Sequence, residues 1–146
     1  HTQRRRQRQM CIRDSPVGCA LALEAIDIII NEKMIENVRH LEPIFMGGLK
    51  NFEDLEFIGE SRGIGLMGAL EMVQDKKNKL PFDGSISIGE RVANKCIENG
   101  LICRPLGPSI VLCPPFITSE EEMGIIFDTL EKTLKEVFSE VKSLGQ

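Results

Sequence analysis

Residues 101–117 read LICRPLGPSIVLCPPFI, and this stretch decides the fold. It contains two short apolar runs, 101–104 and 109–113, around the turn-forming sequence Pro105-Leu106-Gly107-Pro108. Two apolar runs joined by a short turn with Gly and Pro predict a β-hairpin. The sheet of this chain is therefore expected to be at least partly antiparallel.

Helical patterns stand on both sides of this hairpin. The preceding segment predicts a helix at about 86–98 that stops at Asn99-Gly100. The following segment places Thr118 or Ser119 three residues before Glu121 or Glu122, a capping signature that begins a helix running to about residue 144. The predicted buried stripes are Ile88, Val92, Ala93 and Cys96 in the first helix, and Met123, Ile126, Phe127, Leu130, Leu134, Val137, Phe138 and Val141 in the second.

Two more helices are predicted near the amino terminus. Residues 17–31, VGCALALEAIDIIIN, carry apolar side chains on most faces and follow Pro16, which predicts a largely buried helix. Residues 34–52 predict a second helix in which Pro43 causes a kink and Gly47-Gly48 a weak point. The apolar stripe of this second helix consists of Met34, Val38, Leu41, Phe45, Leu49 and Phe52.

The stretch RGIGLMGALEMV, residues 62–73, contains the letters of a dinucleotide-binding loop at Gly63, Gly65 and Gly68. Such a loop needs a buried strand before it and a helix that opens at the glycines, but the preceding residues 59–62 are polar. A nucleotide-binding module is therefore the less favoured alternative. The alternation of apolar and small residues instead predicts one strand whose glycines permit close packing.

The predicted element order is α, α, β, α, β, β, α. Helices can cover only one face of so small a sheet, which indicates an α+β fold with a small antiparallel sheet covered by helices, rather than a doubly wound one.

Composition and charge narrow the class of protein. The chain has 146 residues, of which 42% are hydrophobic and 27% charged, and no apolar run is long enough to span a membrane. Five arginines lie in residues 1–14, although the chain has a net charge of −4. We expect residues 1–15 to be a non-native or disordered basic leader and residues 16–146 to be the domain, with no nucleic-acid or membrane partner.

Cysteine and histidine usage excludes some kinds of site. The five cysteines are an odd number without a C-x-x-C pair, and no secretory signal is present, which predicts reduced thiols and a cytoplasmic protein. Cys96 and Cys103 have apolar neighbours and are expected to be small buried residues. With only His1 and His40 available, neither a metal site nor a histidine-based triad is expected.

Arg104 is the candidate site residue. It lies at the junction between the first apolar run and the turn, where its planar guanidinium could bind a carboxylate through two parallel hydrogen bonds. Position alone leaves open the alternative that it pairs with an acidic residue on the surface.

Four blocks in this chain resemble, in the same order, the C-terminal small domain of the class III aminotransferases. They are PVGCALALEAIDII (16–29), RGIGLMGALEMV (62–73), PFD (81–83) and NGLICRPLGPSIVLCPPFITSEE (99–121). The similarity is greatest to the pyruvate-dependent type acting on ω-amino acids, diamines or amines. It implies the fold type I of pyridoxal 5′-phosphate (PLP) enzymes, a homodimer, an amino donor and a keto-acid acceptor. In the family pattern R-x-x-G-x-x-I-V-x-x-P-P the arginine matches Arg104 and binds the substrate carboxylate.

The chain also departs from this family. A Thr-Tyr-Ser-Gly-His type segment, with a hydroxyl group that reaches the cofactor phosphate, normally precedes the first block, whereas here only Ser15 precedes Pro16. The Schiff-base lysine would lie further upstream, so none of the nine lysines replaces it, and a chain of this extent is expected to be inactive alone. A small non-catalytic regulatory or interaction domain remains the alternative.

Overall fold

The computed structural model describes residues 15–144, so the predicted basic leader lies almost wholly outside the described residues. The chain divides into two compact units at Asn37.

In the first unit, helix α1 (Pro16–Asn31) begins at Ser15, whose hydroxyl accepts a hydrogen bond from the Gly18 N–H, and Pro16 occupies the first turn. The prediction that this helix is largely buried is wrong. None of its residues is buried, because its apolar side chains point in most directions and its own unit offers too little surface to cover them.

The second unit contains the sheet and the remaining helices. Its elements follow helix α2 (Met34–Asn51), which begins in the first unit, in this order: a 3-10 turn (Phe52–Asp54), β1 (Ile58–Ile64), β2 (Met67–Met72), a 3-10 turn (Gly84–Ile86), α3 (Ile88–Glu98), β3 (Arg104–Leu106), β4 (Ser109–Leu112) and α4 (Glu120–Leu144). The four strands are all antiparallel, in the order β1-β2-β4-β3. The predicted α+β class is confirmed. Within residues 15–144 no helix has the length and apolar character needed to cross a membrane.

The stretch predicted as one glycine-faced strand is a hairpin. Ile64 pairs with Met67, so Gly65 and Leu66 form a two-residue turn between β1 and β2. Gly65 has a φ of +56°, which suits the type II′ turn that places glycine first. Ile64 is 70% exposed whereas Leu70 is 1% exposed, so the alternation of exposed and buried residues does not continue through this turn as it would in the single predicted strand. A glycine in a hairpin turn is not part of a phosphate-binding loop, which removes the nucleotide-binding alternative.

Helix α2 supplies the layer that lies directly on the sheet. Leu41, Phe45 and Leu49 are buried as predicted. A Cβ on Gly68 of β2 would lie 2.3 Å from Leu49 Cδ1, so the absence of a side chain at Gly68 permits this close approach. Pro43, where a kink is predicted, lies inside the helix, which continues on both sides of this position. Pro43 is exposed, and the buried residues on either side of it hold the flanking turns in place.

The hairpin predicted from residues 101–117 is present, but its strands are shorter than expected. β3 begins at Arg104 instead of ending there, and Gly107 and Pro108 alone form the turn to β4. Residues 101–103 lie outside the strand. The predicted turn was too long because Pro105, which suits turns, can also occupy an edge strand.

Helices α3 and α4 match their predictions closely. The four residues expected to form the buried stripe of α3 are all buried. The helix ends in a Schellman motif, in which the Leu101 N–H donates to the Cys96 carbonyl at 2.8 Å and the Gly100 N–H to the Ile97 carbonyl at 3.0 Å. At the start of α4, Ser119 and Glu122 form the capping box, with the Ser119 N–H donating to the Glu122 carboxylate at 2.8 Å.

We expect Glu122→Gln to destabilise the protein in a pH-dependent way. The hydrogen bond from the Ser119 N–H, followed by that from its hydroxyl, lowers the pKa of the Glu122 carboxyl below its ordinary value. The stabilisation is therefore complete above the ordinary pKa and is lost as the pH falls through the lowered one. Urea unfolding should show a difference between wild type and Glu122→Gln at pH 7 that shrinks towards pH 3. The control is Glu121→Gln, which removes a neighbouring carboxylate that has no capping bond, and a pH-independent difference would contradict the expectation.

Candidate functional site

The sheet has one covered face and one open face. Gly68, Leu70, Ile110 and Leu112 face the helices and are buried. Residues directly opposite one another on antiparallel strands point to the same side, so the pairings of Arg62 with Ala69, Ala69 with Val111, and Val111 with Arg104 place these four side chains in one row. This row lies on the open face and has an arginine at each end.

The structure places Arg104 at the outer edge of the sheet. It is the first residue of β3, which is an edge strand, and its side chain is exposed. Within residues 15–144 the Arg104 guanidinium has no hydrogen-bond or ion-pair partner. The alternative that Arg104 pairs with an acidic residue of the surface is therefore not realised among the described residues, and its five N–H donors are available to an anion.

Arg62, at the other end of the row, already has acidic partners. Arg62 Nη1 lies 2.7 Å from Glu71 Oε2 and 3.7 Å from Glu60 Oε1. The hydrogen bond to Glu71 raises the pKa of the Arg62 guanidinium, which stays charged but is neutralised by its partner. Of the two arginines in the row, Arg104 is thus the one that can bind an incoming carboxylate.

The residue before Arg104 contributes neither a charge nor a nucleophile. A hydrogen bond with the Cys96 thiol, followed by burial, raises the pKa of the Cys103 thiol, so that it remains neutral at physiological pH. Cys96 is fully buried as predicted, whereas Cys103, also predicted to be buried, is only partly buried and packs against the same core. The neutral Cys103 thiol therefore does not form an ion pair with the Arg104 guanidinium.

The turn after Arg104 lies close to the PFD block. Pro81, Phe82 and Asp83 line a cavity of about 330 Å³ together with residues of the first turn of α3 and of the β3–β4 turn. Two of the four recognised sequence blocks are thus neighbours in the structure. Gly89 in this first turn of α3 is not among the residues predicted from the sequence. Its one signal in the sequence is that a glycine inside a helix costs about 1 kcal/mol relative to alanine and therefore indicates close packing.

No lysine in the described part of the chain is placed to react. All nine lysines are exposed or partly exposed, and four of them pair with glutamates: Lys95, Lys132, Lys135 and Lys142. His40 is exposed as well and hydrogen bonds to Glu120 Oε1 at 2.6 Å. In the row of side chains on the open sheet face, Arg104 is the arginine without an acidic partner among residues 15–144.

Comparisons with known proteins show the family of this chain and its fold. The profile of the family Aminotransferase class-III matches residues 14–134. An omega-transferase from Vibrio fluvialis JS17 has 58% sequence identity and a TM-score of 0.86, over 88% of this chain and 30% of that one. An omega-aminotransferase from Paracoccus denitrificans has 60% identity and a TM-score of 0.84, over 86% of this chain and 28% of that one.

A more distant relative is gamma aminobutyrate transaminase 1 of Solanum lycopersicum, which is 37% identical over 88% of this chain and 25% of its own length. The chain spans about a quarter of the length of the curated relatives that it matches. The family match covers most of the chain and includes the row that ends at Arg104, so the resemblance seen in the four sequence blocks is confirmed. The chain belongs to the class III aminotransferase family.

Proposed function

We propose that this chain is the C-terminal small domain of a PLP-dependent aminotransferase that moves an amino group from an ω-amino acid, diamine or amine to a keto acid such as pyruvate. The observation that carries the proposal is the unpartnered Arg104 guanidinium at the edge of the open sheet face, inside the region matched by the family. A keto-acid acceptor and an ω-amino acid donor both bring a carboxylate to such a site.

Arg104 would bind and orient this carboxylate. A guanidinium and a carboxylate form two parallel charge-assisted hydrogen bonds, which hold the substrate at a fixed angle as well as in place. Because β3 starts at Arg104, the backbone on one side of the residue is held in the sheet and on the other side leads to the end of α3. The side chain therefore extends from a fixed backbone while its tip remains free to meet a substrate.

The cofactor would be held by residues outside this chain. The lysines of residues 15–144 are exposed or partly exposed, and the family resemblance places the lysine that binds PLP further upstream. Structural relatives from Vibrio fluvialis carry PMP in one case and PLP in another. Bound in the complete enzyme, PLP would supply the electron sink for amino transfer. The part of this chain would be to select and orient the substrate.

The names of relatives support the range of donors. The solved relatives include omega-aminotransferases, and the curated ones include gamma aminobutyrate transaminases, whose named substrate is an ω-amino acid. We further propose a homodimer in the cytoplasm. The family resemblance supports the homodimer, and the odd number of cysteines without a C-x-x-C pair supports a reducing compartment.

The test is an amino-transfer assay with the complete enzyme that carries this sequence. We expect alanine to form from pyruvate with a simple amine, a diamine or an ω-amino acid as donor, and the PLP absorbance to change when donor is added without acceptor. Sedimentation of the same preparation should give the mass of a dimer. Absence of alanine with every donor class, from an enzyme loaded with PLP, would overturn the proposed reaction.

A further inference from the structure

We propose that Gly89 is a positioning residue for Arg104. Gly89 is buried in the first turn of α3, against the β3–β4 turn. A Cβ at this position would lie 2.1 Å from the Gly107 carbonyl oxygen, 3.3 Å from its carbonyl carbon and 3.5 Å from the Ser109 carbonyl oxygen. Helix and turn thus meet backbone to backbone, at a distance that only glycine permits.

The atoms around this position cannot easily make room. They belong to the backbone, so no side-chain rotation relieves the contact, and ordinary van der Waals separation requires a displacement of roughly 1 Å. β4 is held on both sides, by β2 and by β3, whereas β3 has a neighbour on one side only. The turn and the edge strand β3 are therefore the parts that yield.

Helix α3 itself is fixed at its other end. The Asn99 side chain, which follows the last turn of α3, donates to Thr133 Oγ1 at 3.0 Å and accepts from Lys132 Nζ at 3.1 Å, both on α4. The Schellman motif then directs the chain through residues 101–103 into Arg104. Because α3 is anchored to α4 at this end, its first turn cannot slide freely away from Gly107.

The strand that carries Arg104 is thus connected to α3 at both ends. Its start follows the last turn of α3, and its end leads into the turn that contacts Gly89. A side chain at position 89 would move this strand, and with it the guanidinium, without touching the substrate. This inference rests on the proposed role of Arg104 in carboxylate binding. A displacement of about 1 Å can lower a rate by roughly a hundredfold when it misplaces an orienting group.

The experiment compares Gly89→Ala with Gly124→Ala in the complete enzyme. Gly124 lies in α4 and has no atom within 4 Å of its ideal Cβ, so this control adds the same methyl group without a clash. We expect Gly89→Ala to lower kcat/KM for carboxylate-bearing substrates by about tenfold or more, through KM, and to leave simple amines within about twofold. Gly124→Ala should change neither. An equal loss for both substrate classes, or no loss in either, would overturn the inference.

Arg104→Ala, measured in parallel, separates this inference from the proposed function. If Arg104→Ala discriminates between the substrate classes and Gly89→Ala does not, only the positioning role fails. If Arg104→Ala does not discriminate, the carboxylate site itself is wrong. If Gly89→Ala does not accumulate as folded enzyme, Ile88→Val is measured in its place. Ile88 lies in the same turn of α3 and lines a cavity together with Pro105 and Gly107, and the change to valine removes one methyl group. It should give a smaller selective loss, and an equal loss for both classes would count against the positioning role.

Discussion

Replacing Arg104 by alanine in the complete enzyme is expected to lower kcat/KM for substrates with a carboxylate by on the order of a hundredfold. Hydrogen bonds to charged groups contribute about 1.5–3 kcal/mol, and each 1.4 kcal/mol corresponds to about a tenfold change. Simple amines bring no carboxylate to Arg104, so their kcat/KM as donors should change by no more than about threefold, with the acceptor half-reaction measured separately. Steady-state kinetics with an ω-amino acid and a matched amine give both values.

Two further variants sharpen this test. Arg104→Lys keeps the positive charge but loses the planar pair of donors, so an intermediate loss is expected. Arg62→Ala removes the other arginine of the same row, which is already paired with Glu71, and should leave both substrate classes unchanged. Equal losses for carboxylates and amines in Arg104→Ala would show that the residue supports the fold and does not bind the substrate.

Phe45→Ala is expected to cause the largest loss of stability, about 3–5 kcal/mol. Phe45 is 0% exposed, and its ring lies 6.1 Å from that of Phe127 at an interplanar angle of 27°. It also fills the space above Gly68, where no side chain can take its place. The cavity left by the ring would lie between α2, α4 and the sheet, at the centre of the packing. The measurement is the urea midpoint of the complete enzyme.

The matched control for this variant is the adjacent residue of the same helix. Ile44 is 37% exposed, so part of its side chain stays in water on folding, and Ile44→Ala should cost clearly less than Phe45→Ala, about 1–2 kcal/mol. Similar shifts of the urea midpoint for the two variants would contradict the central position of Phe45.

The helices could be predicted from the sequence because their signals are local. The spacing of apolar residues in α2, α3 and α4, the capping box at Ser119 and the stop at Asn99-Gly100 all act within a few residues, and the structure has each of them. The β1–β2 hairpin was missed for a physical reason. Its two-residue turn continues the alternation of the strands, so the pattern alone does not mark the point where the chain reverses at Gly65.

The candidate site was only partly predictable. Guanidinium chemistry and the turn signal drew attention to Arg104, but its lack of a partner depends on which surfaces the sheet leaves open. The contact between Gly89 and Gly107 joins backbone atoms that are far apart in sequence, and no periodicity records it. The exposure of α1 was mispredicted because apolar composition indicates that a helix needs cover without indicating which residues provide it.

Pro105, next to Arg104 in the edge strand β3, has a consequence for aggregation. An edge strand normally offers a row of N–H and C=O groups to which another chain can add a strand. Pro105 has no N–H and therefore interrupts this row in a strand of only three residues. This edge of the sheet is thus a poor template for the addition of a strand from another chain. Arg104, which has to stay accessible to substrate, therefore lies on an edge that resists aggregation.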